Sequence, residues 1–137
     1  MVLKDPGASG LARAAKSDTE ARNKRLIHDY YDLINRGEAP ALQGLVSERF
    51  VEHGPRAGRG APARSAERSA PAREAGRQLE CVRMMADGDF VIAHCRVHGA
   101  PDAALFEIFR IEGGRIVEHW DVQQDVPATA ANSNGMF

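Results

Sequence analysis

Hydrophobic and polar positions divide the chain into a helical half and a strand half. Leu26, Ile27, Tyr30, Tyr31, Leu33 and Ile34 recur at helical spacing until Gly37 interrupts them, which is one apolar stripe on a 3.6-residue period. Ser17 followed by Glu20 has the form of a capping box, so the pattern predicts a helix that opens at Ser17 and closes at Gly37. Residues 1–16, MVLKDPGASGLARAAK, keep no sustained period and are expected to be a flexible N-terminal segment ahead of a single domain, 17–137. A shorter helical piece is predicted from Pro40 to Val46. It leads into a brief extended segment at Phe50 and Val51 that breaks at Gly54-Pro55.

After Gln78 the period becomes that of strands. LECVRMMA and FVIAHCRVH flank Asp87-Gly88, and AALFEIFRI and RIVEHWDVQ flank Gly113-Gly114; both dipeptides favour two-residue hairpin turns. The expected architecture is α+β, with the helix first and four antiparallel strands in two hairpins, and with Phe50-Val51 as a short edge strand. Between them, Arg56 to Arg77 is rich in Ala, Arg, Gly, Ser and Pro and has no large apolar side chain. It reads as a surface helix or lid of low intrinsic stability, its arginines forming a solvated face.

A turn fixes a register. With Gly113-Gly114 as a two-residue loop, Ile111 faces Ile116, Phe109 faces Glu118, Glu107 faces Trp120 and Leu105 faces Val122. The other face carries Phe106, Ile108, Arg110, Val117, His119 and Asp121. Both sides are largely apolar, so one needs a helix and the other a second subunit as cover. The same logic in the first hairpin sets His94 opposite Cys81 and near Arg83.

Size and charge narrow the classes. At 137 residues and 14.9 kDa the chain holds one core and no second domain. Its 18 Lys and Arg against 19 Asp and Glu argue against a nucleic-acid surface. The absence of a signal segment or a membrane-length apolar run points to a cytoplasmic protein that does not engage a membrane. Cys81 and Cys95 make no disulfide framework and are expected to pack as small hydrophobes. His53, His94, His98 and His119 with Glu107 and Asp121 show no recognised ligand spacing, so no metal is expected. No nucleophile motif, phosphate loop or dinucleotide fingerprint is present either, and no cofactor is expected.

Glu107 is the residue with the clearest chemical interest. Buried beside Leu105, Phe109 and Trp120, its carboxyl would resist ionisation and could hold or take a proton near neutrality. The competing reading turns it to solvent, paired with Arg110 or Arg115.

With these residues placed, the chain resembles a SnoaL-like protein of the nuclear-transport-factor-like superfamily. FVEHGP at 50–55, DGDFVIAH at 87–94 and FEIFRIEGGRIVEHWDVQQDVP at 106–127 carry the likeness, and NSNGMF at 132–137 points to a subgroup assigned to aldol condensation. The resemblance implies a cone: a curved antiparallel sheet wrapped around the first helix, a deep apolar pocket between them, and a homodimer formed through the sheet. It implies a small hydrophobic carbonyl-containing ligand and a cofactor-independent acid–base enzyme of the aldol condensation, cyclisation or isomerisation type. The alternative is a ligand-binding or dimerisation module without turnover. Glu107 and His53 are the expected acid–base residues, with His119 and Asp121 as a second pair, and Trp120, His94, Tyr31 and Phe109 as the lining. Two positions depart from the family pattern: Asn35 stands where acid–base members have aspartate near the end of the first helix, and Gln124 where many cyclase-type sequences have an acid.

Overall fold

The computed structural model describes residues 6–54 and 78–137. It contains helices α1 (Pro6–Arg36) and α2 (Ala39–Leu45) and strands β1 (Val46–Glu52), β2 (Leu79–Asp87), β3 (Phe90–Val97), β4 (Ala103–Glu112) and β5 (Arg115–Asp125). The strands form one sheet in the order β1-β5-β4-β3-β2. Strands β2 to β5 are an antiparallel meander, whereas β1 pairs with β5 in parallel. The fold is α+β with a long N-terminal helix, as expected, but the sheet is mixed rather than wholly antiparallel. The edge segment foreseen at Phe50-Val51 is a full strand, and it enters from α2 in the same direction as β5. The surface helix or lid expected at Arg56–Arg77 lies outside the described residues. No helix among the described residues is long and apolar enough to cross a membrane.

Helix α1 buries Asn23, Ile27, Tyr30 and Tyr31, with Ile34 packed beside them, which is one face at i, i+4, i+7 spacing. It stops at Gly37, whose φ of 68° lies in the left-handed region. There the Gly37 N–H donates to the Ile34 carbonyl and the Glu38 N–H to the Leu33 carbonyl, both at 2.9 Å. The pair satisfies last-turn carbonyls, and glycine adopts that backbone without a Cβ penalty.

The other end corrects the expectation. The helix runs from Pro6, so Ser17 lies inside it and is not its start. Glu20 instead accepts the Gly88 N–H at 3.0 Å, Asn23 Nδ2 donates to the Gly88 carbonyl at 3.1 Å, and Lys16 Nζ meets Asp87 at 2.6 Å. What reads as a helix start is a clasp on the β2–β3 turn. At its C-terminal end α1 is fastened again, because Asn35 donates to the Leu79 carbonyl and accepts the Leu79 N–H, both at 2.8 Å.

Both hairpin registers differ from a plain two-residue count. In β2–β3, Asp87 pairs with Phe90, so the turn is Gly88-Asp89, and His94 faces Arg83 rather than Cys81. Val82 is an extra residue there, which sets Cys81 opposite Cys95. In β4–β5 the Gly113-Gly114 turn holds as expected and sets Ile111 opposite Ile116, but the next pair is Arg110 with Glu118. Val117 is therefore a bulge, and beyond it Phe109 faces His119, Ile108 faces Trp120 and Glu107 faces Asp121.

The bulge decides the faces. Val91, Ala93, Cys95, Leu105, Phe109, Ile111 and Ile116 line the inner side against α1. His119 and Asp121 move to that side, while Glu118 and Trp120 turn outward. Met85, Phe90, Phe106, Ile108 and Val122 stand on the outer face, and Val122 is 74% exposed.

Candidate active site

Four elements each deliver one side chain to the inner face of β4 and β5. Tyr31 comes from α1, Glu107 from β4, His119 from β5 and Glu52 from the end of β1. The Tyr31 hydroxyl donates to Glu107 Oε2 at 2.6 Å. His119 Nε2 meets Glu107 Oε1 at 2.9 Å, and His119 Nδ1 meets both Glu52 oxygens at 2.9 and 3.0 Å. The result is a continuous hydrogen-bonded chain, Tyr31–Glu107–His119–Glu52. Tyr31, Glu107 and His119 are buried, and the Glu52 side chain, 12% exposed, is the end nearest solvent.

An imidazole between two carboxylates is driven to its charged form. Burial by itself pushes His119 down, but the hydrogen bonds and charges of Glu107 and Glu52 outweigh it and lift the group from its ordinary 6.5 to about 9. His119 is then an imidazolium at neutral pH, donating from both nitrogens. Tyr31 is held protonated by burial and by the neighbouring Glu107 charge, which together push the phenol well above its ordinary value. Its hydroxyl is thus a fixed donor. Beside Tyr31, burial also pushes the Cys95 thiol well up, in keeping with an inert packing role.

Asp121 is buried on the same strand as His119, opposite Glu107. It lies against Gly54, where a Cβ would collide with the Asp121 carboxylate and sit 3.0 Å from Glu52 Oε1. Phe109 packs under the chain, its ring 4.8 Å from that of His119 and edge-on to Tyr30 at 5.5 Å and Tyr31 at 6.1 Å.

Glu107, His119, Asp121, Tyr31 and Phe109 are therefore brought together, with Glu107 inside as expected. Its setting is not the apolar box that pairing with Trp120 implied, nor a surface pairing with Arg110 or Arg115; it is an acid–histidine pair. His53, Trp120 and His94 go to the other side. His53 continues the β1–β5 pairing through its N–H to the His119 carbonyl at 2.9 Å, so its side chain points opposite to that of His119. It stacks on Trp120 at 4.7 Å and meets Glu118 at 2.9 Å. Arg110 first, and then His53, hold the Glu118 carboxyl below its ordinary value. The expected convergence of His53 with Glu107 is thus absent. His94 stacks on Phe106 at 4.2 Å and on Phe137 at 5.5 Å, and its Nδ1 is 3.3 Å from Arg83. Burial, aided by Arg83, lowers its proton affinity.

Sequence reasoning missed Glu52 and Gly54. The signal lay inside VEHGP, where the histidine drew attention from the glutamate before it and the glycine after it. Among the described residues no group of His, Cys, Asp and Glu is arranged to hold a metal ion.

A family model described as a SnoaL-like domain matches residues 27–119. No curated protein matches the chain. Among solved structures, IdmH from Streptomyces antibioticus, a proposed polyketide cyclase, is 19% identical with a TM-score of 0.62 over 74% of this chain and 91% of its own. AclR from Streptomyces galilaeus, a proposed hydroxylase, is 23% identical with a TM-score of 0.65 over 77% and 90%. An epoxide hydrolase of the LEH-like type from M. tuberculosis is 14% identical with a TM-score of 0.63 over 77% and 84%. At these identities the likeness establishes the fold.

Proposed function

Because this chain belongs to the SnoaL-like domain family, whose fold it shares with proteins of several chemistries, we propose that it is a cofactor-independent acid–base enzyme acting on a small hydrophobic carbonyl compound. The reaction type is aldol condensation, cyclisation or isomerisation. The observation that carries this reading is the buried chain Tyr31–Glu107–His119–Glu52. Glu107 takes a proton from the carbon beside the substrate carbonyl. As Glu107 takes up that proton its carboxyl gives up the bond from Tyr31, whose hydroxyl turns to donate to the developing enolate oxygen, and the His119 charge lies one residue further along. Asp121, the cross-strand neighbour of Glu107, is the second carboxylate available to return the proton.

The test is proton exchange. A panel of small hydrophobic ketones and 1,3-diketones in deuterated buffer should lose α-hydrogen signals in the presence of the protein, and Glu107→Gln should abolish that loss, because an amide cannot carry the proton. Exchange equal in both proteins would refute the assignment. A non-catalytic binding module has one observation in its favour: both Glu107 oxygens are engaged by donors of the same chain. Ligand binding without exchange would select it.

Assembly belongs to the same proposal. Phe106, Ile108, Phe90, Met85 and Val122 leave the outer sheet face apolar and exposed, and a second copy of the chain is the cover proposed for it.

A further inference from the structure

We infer that Glu52 is a positioning residue for this site: through the Nδ1 side of His119 it fixes the ring so that Nε2 is presented to Glu107. The inference rests on the acid–base reading above and adds to it a residue from a different part of the chain. Three observations support it. Both Glu52 oxygens lie within hydrogen-bond distance of Nδ1, so small rotations of the carboxylate do not release the ring. Glu52 Oε1 also accepts the Gly54 N–H at 2.8 Å, which ties the carboxylate to its own backbone two residues on. Finally, β1 is held parallel to β5 with Glu52 in register with His119, so the sheet itself sets the approach.

Gly54 belongs to the same device. Any larger residue would drive a Cβ into the Asp121 carboxylate and against Glu52 Oε1. The motif Glu-x-Gly thus holds His119 on one side and leaves room for Asp121 on the other. His53, the residue between them, faces away and takes no part.

The arrangement has the logic of a histidine oriented by an acid: the group bonded to one ring nitrogen decides what the other nitrogen offers. Among the described residues the titratable groups near His119 include Glu52 from β1, Glu107 from β4, Tyr31 from α1 by way of Glu107, and Asp121 from its own strand. Glu52 meets Nδ1 and Glu107 meets Nε2, so the removal of Glu52 has a signature distinct from that of Glu107.

The experiment is nitrogen NMR of imidazole-labelled full-length protein, read against pH for wild type, Glu52→Gln, Glu52→Asp and Glu52→Ala. The wild type should show His119 with a protonated Nδ1, a hydrogen-bonded Nδ1 proton far downfield and a titration midpoint near 9. Glu52→Gln, of the same shape, should keep the Nδ1 proton signal and lower the midpoint by at least one unit. Glu52→Ala should lose the downfield proton, and Glu52→Asp should restore part of it. An unchanged midpoint and an unchanged proton signal in both Gln and Ala variants would overturn the positioning role. Should Glu52→Ala unfold, Glu52→Gln alone decides through the midpoint. Carbonyl exchange is measured in parallel on the same samples. Where turnover is found, Glu52→Gln should lower kcat and shift the alkaline limb of its pH profile downward, leaving KM near wild type. Expected NMR changes with no exchange in any protein would sink the acid–base reading and leave the His119 clamp in place. Unchanged NMR beside active wild type would sink the clamp alone.

Discussion

Raising the pH from 6.5 to 9 should cost this protein stability through one residue. His119 binds its proton with an ordinary value of 6.5 in the unfolded chain and about 9 in the fold. Between those limits the folded state holds a proton that the unfolded state has released, so stability falls as pH rises, by about 1.4 kcal/mol per unit. Over the whole interval the loss is about 3 kcal/mol, fully present as stabilisation below 6.5 and gone once pH passes the folded value. Among the described residues the other shifted groups act outside that window. Asp87 and Glu118 are shifted downward and act in acid, and the lowered affinity of His94 matters only below its ordinary 6.5. Raised Cys81 and Cys95 act from their ordinary 9.0 upward and raised Tyr31 from its ordinary 10.0 upward. The assay is urea unfolding at half-unit steps from pH 6 to 9, with the m-value required to stay constant. His119→Gln should be less stable at pH 6 and nearly flat across the interval; where it fails to fold, Glu52→Gln should flatten the upper part of the curve. A wild-type midpoint independent of pH from 6.5 to 9 would refute the reasoning, since it would mean that His119 does not gain a proton on folding.

Tyr31→Phe removes the donor to Glu107 Oε2 and should cost about 1.5–3 kcal/mol, the range for a hydrogen bond to a charged group; an unchanged denaturation midpoint would contradict the bond. Asn35→Ala deletes both bonds to the Leu79 backbone and should cost about 1–3 kcal/mol, with faster amide exchange at Leu79; exchange as slow as in wild type would show that the strand start is held by other means. Sedimentation at micromolar concentration should give a dimer for wild type and a monomer for Val122→Lys, which places a charge in the exposed apolar face; a wild-type monomer would remove the proposed interface.

Most of the fold is legible in the sequence because it is written in local periods. The α1 stripe, the Gly37 stop, the short second helix and four strands all follow from spacing over a few residues. The site is legible only in part, because its assembly depends on pairings that no local pattern records. Glu107 is placed correctly inward, since alternation from the Gly113-Gly114 turn reaches it without interruption along β4. Its partner is not, since Val117 adds one residue to β5 and exchanges the faces of His119 and Trp120. In the first hairpin the Gly88-Asp89 turn moves the partner of His94 from Cys81 to Arg83. Glu52 is invisible for a different reason: it acquires meaning from a parallel pairing across most of the domain. Asn35, read as a lost acid, proves to be a backbone clamp, a role that depends on where β2 begins.

The parallel alignment of β1 with β5 also has a consequence for the order in which the chain can assemble its chemistry. Glu107 and His119 are 12 residues apart and meet within a single hairpin, whereas Tyr31 reaches Glu107 across 76 positions and Glu52 reaches His119 across 67. Closing such long loops is entropically costly and slow compared with turning a hairpin. On that ground the acid–histidine pair is expected to form first, with the groups that tune it arriving when the two ends of the domain close on each other. The full hydrogen-bonded chain from Tyr31 to Glu52 is then a property of the finished fold and of no fragment of it.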